Sequence, residues 1–119
     1  NEQMKLVFRC DTLDPKLNLI GWYCGNSSST THPGGQKLAN AWGLFDMSGN
    51  VSEWCWDWYG SAYPSGDATN PKGPASGTER MVRGGDYDSS DTGCRVDNRY
   101  YYIYPTLSNN KVGFRCVRH

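Results

Sequence analysis

Long apolar runs are missing from this chain. None approaches the roughly 20 apolar residues that a membrane-crossing helix needs, so no direct membrane span is expected. No secretory leader is visible, and a mature chain or an expressed fragment would read alike. Charge of one sign is missing too: Lys and Arg total 12, and Asp and Glu total 12. A neutral chain offers no electrostatic footing for nucleic acid or for an anionic membrane, so neither is expected as a partner. Zinc-type spacing is absent, with two histidines and no C-x-x-C pair. No amphipathic helix stands out from the hydrophobic pattern. A last gap is local. Residues 83–110 contain no Lys, Gln, Glu, Met or Trp, although these types make up 18 of the other 91 residues. By composition alone such a gap has a probability of about 0.002.

What is there is aromatic. The 119 residues suit one domain. Apolar content is 37%, but five Trp, eight Tyr and three Phe supply large area per residue. Four of the tryptophans (Trp42, Trp54, Trp56 and Trp58) fall within residues 40–59, which is therefore the expected core. Between them Asp46, Gly49, Asn50 and Glu53 form a tight polar turn. Two carboxylates bracketing a Gly-Asn turn converge if the backbone curls back, and Ca²⁺ takes carboxylate and carbonyl oxygens so arranged. The plainer alternative is capping and salt bridging within the turn. The cysteines, Cys10, Cys24, Cys55, Cys94 and Cys116, are odd in number. At least one is free or paired between chains, and the connectivity stays open.

Along the chain, residues 4–8 read as a strand and 11–15 as a turn. Residues 17–23 read as a strand or a single helical turn. Residues 26–35 and 60–78, rich in Gly, Pro and Ser, read as loops. Residues 79–83 read as a short strand leading into Gly84 and Gly85, and 111–117 as a last strand with one buried face. Phe-Arg-Cys occurs at residues 8–10 and again at 114–116, which suits two edge strands lying side by side.

The 40–59 segment resembles the signature of the formylglycine-generating-enzyme-like (sulfatase-modifying factor) family, a branch of the C-type lectin fold. The resemblance continues through Thr31-His32-Pro33 and Gly35-Gln36-Lys37, then Arg83-Gly84-Gly85, Cys94-Arg95, Arg99 and Gly113-Phe114-Arg115. It covers residues 20–117. It implies an α+β C-type lectin-like fold of mostly short antiparallel strands and long loops, with little helix. The domain would be residues 1–119, either whole or as the C-terminal part of a larger one, because the family's N-terminal half is not recognisable. The resemblance also implies a structural Ca²⁺ held by side-chain oxygens of Asp46 and Glu53 and backbone oxygens of Gly49 and Val51. Ser52 departs from the family, which usually has another Trp there.

Oxidising enzymes of this family use two cysteines five apart after a Gly-Gly and bind copper. Here Cys94 stands at the second position and Ser89 at the first. One thiol cannot make a two-thiolate soft-metal site, so catalysis and copper are not expected. With only His32 and His119 as bases, Cys94 reads as a buried or disulfide-bonded residue.

Residues 83–110 hold five tyrosines, Tyr87, Tyr100, Tyr101, Tyr102 and Tyr104, among many Asp, Ser and Asn. Tyr with small polar partners is the composition of adaptable binding loops. The five missing residue types are those that no pyrimidine-ending codon can write. Randomising the adenines of AAC or AAT codons would avoid all five, and stop codons as well. The pattern resembles the variable proteins of diversity-generating retroelements, which display a rewritten C-terminal segment on this lectin frame. The resemblance implies a variable segment over residues 83–113. Its candidate ligand-binding residues are Asp86, Tyr87, Asp88, Ser89, Ser90, Asp91, Asp97, Asn98, Tyr100, Tyr101, Tyr102, Ile103, Tyr104, Thr106, Leu107, Ser108 and Asn109. The expected partner is a protein or glycan ligand, met at a cell or phage surface by an exported or lipoprotein-anchored protein. The alternatives are an oxidase-branch enzyme with part of its site elsewhere and a purely structural, non-variable module.

Overall fold

A computed structural model describes residues 10, 13–61, 65–99 and 102–118. The expected strand at 4–8, the residue 8–10 half of the Phe-Arg-Cys pairing apart from Cys10, and Tyr100 and Tyr101 lie outside these. Within them the chain forms one short helix and four strands: α1 (Pro15–Ile20), β1 (Ser52–Trp58), β2 (Arg80–Arg83), β3 (Tyr102–Ile103) and β4 (Val112–Gly113). The sheet runs β3-β2-β1-β4. The β1–β2 and β2–β3 pairs are antiparallel, whereas β4 joins β1 in parallel. This is the α+β, helix-poor, loop-rich arrangement expected from the sequence.

Of the strand or helical turn expected at 17–23 the structure has the helix, α1, begun earlier at Pro15 and ended at Ile20; of the turn expected at 11–15, residues 11 and 12 lie outside the described residues. Asp14 caps the helix, its carboxylate accepting the amides of Lys16 at 2.9 Å and Leu17 at 2.7 Å. Pro15 presets the first helical φ and lacks only an amide hydrogen that the helix could not use. Gly21 ends α1 against the Ser48 carbonyl, which a Cβ at that position would approach to 2.3 Å. The last strand is shorter than the expected 111–117, since only Val112 and Gly113 pair with β1.

The core also differs from expectation. Among the described residues its buried apolar members are Tyr23, Met81, Val82 and Cys94. Trp42 and Trp56 are 86% and 85% exposed, and Trp54 and Trp58 are half-buried. Apolar area favours burial only where an opposing surface is available to take it up. The β1–β2 register slips between Trp54 and Trp58, so these tryptophans do not form one continuous inward row. The Arg80 guanidinium lies over Trp58 at 3.5 Å and over Trp56 at 4.8 Å, and it also bonds the Trp56 carbonyl. A cation therefore covers indole faces that the core leaves bare. The interior is also polar, with Ser27, Ser48, Ser52, Asp86 and Ser89 all buried. The Tyr23 phenol oxygen accepts the Asp14 amide at 2.7 Å, which ties α1 to the core.

Cys10 pairs with Cys24, and Cys55, Cys94 and Cys116 are free thiols. The bridge settles the open connectivity and fastens Cys10 to the loop beneath the candidate site.

Candidate functional site

The site is built outward from Asn50. This residue has φ +67°, which Asn tolerates better than most side chains. The adjacent Gly49 has φ +76°, and a Cβ there would lie 2.1 Å from the Trp22 carbonyl oxygen. In this sharp turn Asn50 meets three segments. Its amide donates to Trp22 O at 2.6 Å. Its side chain accepts the His32 amide at 2.9 Å and donates to the His32 carbonyl at 3.0 Å. Its own carbonyl accepts the Tyr87 amide at 2.9 Å. His32 stacks on Trp22 with ring centroids 3.7 Å apart, and Lys37 sits over the same indole at 4.1 Å.

Residues 86–89 are fixed by backbone from behind. Besides the Tyr87 amide, the Tyr87 carbonyl accepts the Ser27 hydroxyl at 2.6 Å, and the Ser89 carbonyl accepts the Cys24 amide at 3.0 Å. Inside the turn, the Ser89 hydroxyl accepts the Asp86 amide and an Asp86 carboxylate oxygen accepts the Asp88 amide. Asp86 and Ser89 are therefore buried turn-builders and not members of an exposed patch. Their polarity suggested surface, but each completes a local turn that closes over the core. Tyr87 and Asp88 stay half-exposed, as does Ser90, whose hydroxyl bonds that of Thr92 at 2.9 Å.

The other candidates fall in separate places. Asp91 and Asp97 are exposed on the next loop, Asp91 beside a depression floored by α1 and Cys94. Asp97 lies 3.8 Å from Arg95. Asn98 is half-buried, with its side-chain amide on the Thr92 carbonyl. Its own carbonyl takes the Arg83 guanidinium at 2.7 Å. Tyr102, on β3, stacks on Tyr59 with centroids 4.0 Å apart yet keeps an exposed edge. Tyr104, Thr106, Leu107, Ser108 and Asn109 are exposed beyond it.

One cavity of about 190 Å³ gathers Asp86, Asp88, Ser89, Ile103 and Asn109 with Lys111. Ser52, Val82 and Val112 complete its wall. Sequence reasoning missed Lys111 and Ser52 as site residues. The available signals were that Lys111 is the first lysine after the Lys-free stretch and that Ser52 departs from the tryptophan that the resemblance implies there. Lys111 pairs with Asp88 at 2.8 Å. That bond holds the Asp88 carboxyl below the usual carboxylate range and lifts the Lys111 ammonium above its own.

Of the four residues expected to hold calcium, Glu53 and Asp46 meet Arg115. Its guanidinium takes both oxygens of Glu53, at 3.0 and 2.7 Å, and reaches the Phe45 carbonyl at 2.9 Å and the Asp46 carbonyl at 3.5 Å. One Asp46 carboxylate oxygen accepts the Gly35 amide at 2.8 Å, whereas Oδ1 is buried with no hydrogen-bond partner. A carboxylate offers about four lone-pair positions, so Glu53 keeps capacity beyond Arg115. The orphaned Asp46 oxygen and this spare capacity fit a hard cation. Gly49 and Val51 lie in the same turn, buried and half-buried.

Cys94 is buried against Gly85, where a Cβ would come within 2.8 Å of its sulfur. Burial, then the charges of Asp86 and Asp91, pushes its thiol up to about 12. A thiol so held is protonated at neutral pH and is a poor nucleophile or metal ligand. Ser89, at the position of the expected partner, spends its hydroxyl on the turn.

The sequence model of the sulfatase-modifying factor enzyme 1-like domain matches residues 11–119. Formylglycine-generating enzyme of Streptomyces coelicolor is 38% identical over 94 residues, covering 74% of this chain and 29% of that protein. Serine/threonine-protein kinase pkn1 of Chlamydia caviae is 40% identical over 94 residues, 76% of this chain and 15% of that one. The fold superposes on Treponema denticola variable protein 1 with a TM-score of 0.78 and 39% identity, covering 86% of this chain and 37% of that one. The chain thus spans well under half the length of each. No helix among the described residues is long and apolar enough to cross a membrane.

Proposed function

The chain belongs to the sulfatase-modifying factor enzyme 1-like, or formylglycine-generating-enzyme-like, family, and we propose that it is a non-catalytic ligand-binding member with a diversified surface. The observation that carries this reading is the division of labour in residues 86–89. Their backbone is bonded to Asn50, Ser27 and Cys24, while the side chains of Tyr87 and Asp88 reach solvent. Substitution of such side chains by anything but proline leaves the holding bonds intact, which is what a rewritten binding surface needs. The likeness to a variable protein and the adenine-compatible composition of residues 83–110 support it further. The ligand is a protein or glycan, engaged by tyrosines rimmed with carboxylates, at a cell or phage surface. A structural calcium belongs to the frame, held by Asp46, Glu53 and the backbone oxygens of Gly49 and Val51.

The buried, protonated Cys94 supports the absence of family-type oxidation. The enzyme names of several relatives favour the second reading, an oxidase-branch enzyme completed by residues elsewhere. Sequencing the codons of residues 83–113 across a source population separates the two. Scatter confined to adenine positions, with a near-identical template copy, supports the binding protein. A uniform sequence together with copper-dependent oxygen consumption overturns it.

A further inference from the structure

The cavity between the 86–89 turn, β3 and β4 carries a chemistry of its own. It holds two carboxylates, Asp86 and Asp88, against one ammonium, Lys111, so it keeps one unit of negative charge. Lys111 is engaged by Asp88 at 2.8 Å. Asp86 is more than nine-tenths buried. One of its oxygens accepts the Asp88 amide, and among the described residues the other meets no hydrogen-bond donor. That oxygen is not sealed from solvent, and a carboxylate oxygen open to a ligand with no donor of its own calls for a positive one. Ser52, Ser89 and Asn109 line the same cavity. The remaining wall, Val82, Ile103 and Val112, is aliphatic. A cavity with aliphatic walls as well as acidic and hydrogen-bonding groups suits a chain of methylenes tipped by an ammonium group.

We propose that this cavity takes a primary ammonium on an aliphatic stem, the lysine side chain of a protein ligand, as the fixed point around which the tyrosines make contact. This deepens the ligand-binding reading, rests on it, and favours a protein partner over a glycan. Sugar hydroxyls would meet the serines but would leave the charge of Asp86 unanswered. Ser52 contributes only a hydroxymethyl group to the wall, which leaves space there.

The test titrates the whole chain with Nα-acetyl-lysine amide and follows the methyl resonances of Val82, Ile103 and Val112. Parallel titrations use Nα-acetyl-norleucine amide, which keeps most of the stem and loses the charge, glycine amide, which offers only an N-terminal amine, and methyl glucoside. The expected result is a saturable shift with the lysine probe at millimolar concentration, weakened by salt. Norleucine and glucoside probes should give none. Asp86→Asn should weaken the lysine probe at least tenfold. Lys111→Met, which removes the competing internal cation, should strengthen it, a direction that loss of structure could not produce. If Asp86→Asn does not fold, Ile103→Trp, which narrows the channel from β3, should abolish the shift. Equal response to norleucine, indifference to Asp86→Asn or Lys111→Met, or no saturation with lysine each overturns the proposal. A stronger response to glycine amide reassigns the cavity to a chain terminus and overturns the lysine assignment. Adenine-confined codon scatter with no lysine response would sink the cavity proposal alone. A lysine response with uniform codons would sink the diversified reading and leave the cavity.

Discussion

Replacing Asn50 with alanine tests the frame at its most connected point. Asn50→Ala removes the two side-chain bonds to the His32 backbone, at 2.9 and 3.0 Å. Each such bond contributes about 1 kcal/mol net. Alanine must also hold φ +67° without the local bonding that makes asparagine tolerant there, at a cost of roughly 1 kcal/mol. The total is about 3 kcal/mol. Unfolding entropy of about 2.1 cal/mol/K per residue makes this a fall of about 12 °C in Tm for a chain of this size. Asn50→Gly separates the terms, because glycine accepts the φ but loses the same bonds. It should fall by about 8 °C. Calorimetry on the three proteins reads the result, and amide exchange at His32 reports whether the lost bonds are the intended ones. A drop below about 4 °C for Asn50→Ala would refute the hub role. Equal drops for alanine and glycine would refute the strain term.

Four further outcomes are expected. Chelator should lower the Tm of protein prepared with calcium, and Asp46→Asn should remove that sensitivity; no shift on chelation rejects a calcium that matters for folding. Asp88 has a depressed folded-state pKa, so its stabilising bond to Lys111 is present above the ordinary carboxylate range and lost as pH falls through the folded value. The Tm gap between wild type and Asp88→Asn should therefore exist at pH 7 and close below about pH 4, as acid melts would show. Iodoacetamide at pH 8 should label exposed Cys116 first, half-buried Cys55 more slowly because burial raises its pKa, and Cys94 only on unfolding; early labelling of Cys94 in mass spectra would contradict its packed position. Tyr104→Ala should abolish ligand binding with Tm unchanged, whereas Tyr102→Ala should also lose about 1 kcal/mol with its Tyr59 stack.

How much the sequence disclosed depended on whether the deciding contact was local. The β2 strand was legible because Arg80–Arg83 is short, apolar at its centre and followed by two glycines. The family, and with it the fold, was legible from ordered motifs spread over most of the chain. Helix α1 was legible only as one of two readings, strand or helical turn, since a six-residue helix has no period to read. Its one signal was Asp14 before Pro15, which equally opens a turn. The tryptophans misled because a residue's area says nothing about which surface will meet it. Trp56 lies against Arg80, 24 positions away. Asp86 and Ser89 were placed with the exposed candidates because polar residues in a loop usually are. Their burial follows from bonds to each other and from the Cys24 and Ser27 contacts behind them, none of which leaves a mark in composition.

That mistake bears on the function. A surface diversified codon by codon draws on one set of residue types everywhere, whether a position faces solvent or the interior. At Tyr104 such change is absorbed by solvent, whereas at Asp88 and Tyr102 it also removes the Lys111 pair or the Tyr59 stack. At Asp86 and Ser89 it would alter a buried turn and the lining of the cavity at once. The frame can tolerate this because its hold on the turn is through main-chain groups, the Tyr87 amide and carbonyl and the Ser89 carbonyl, which no substitution except proline at position 87 removes. The framework arginines act in the same manner. Arg83 holds the Asn98 carbonyl, Arg99 the Gly60 carbonyl and Arg115 the Phe45 carbonyl. Three cations therefore fix loops by backbone oxygens and leave those loops' side chains free. Rewriting the segment would in this way change both the outer tyrosine face and the charge at the end of the cavity, so sibling proteins should differ in the kind of group they seat as well as in the surface around it.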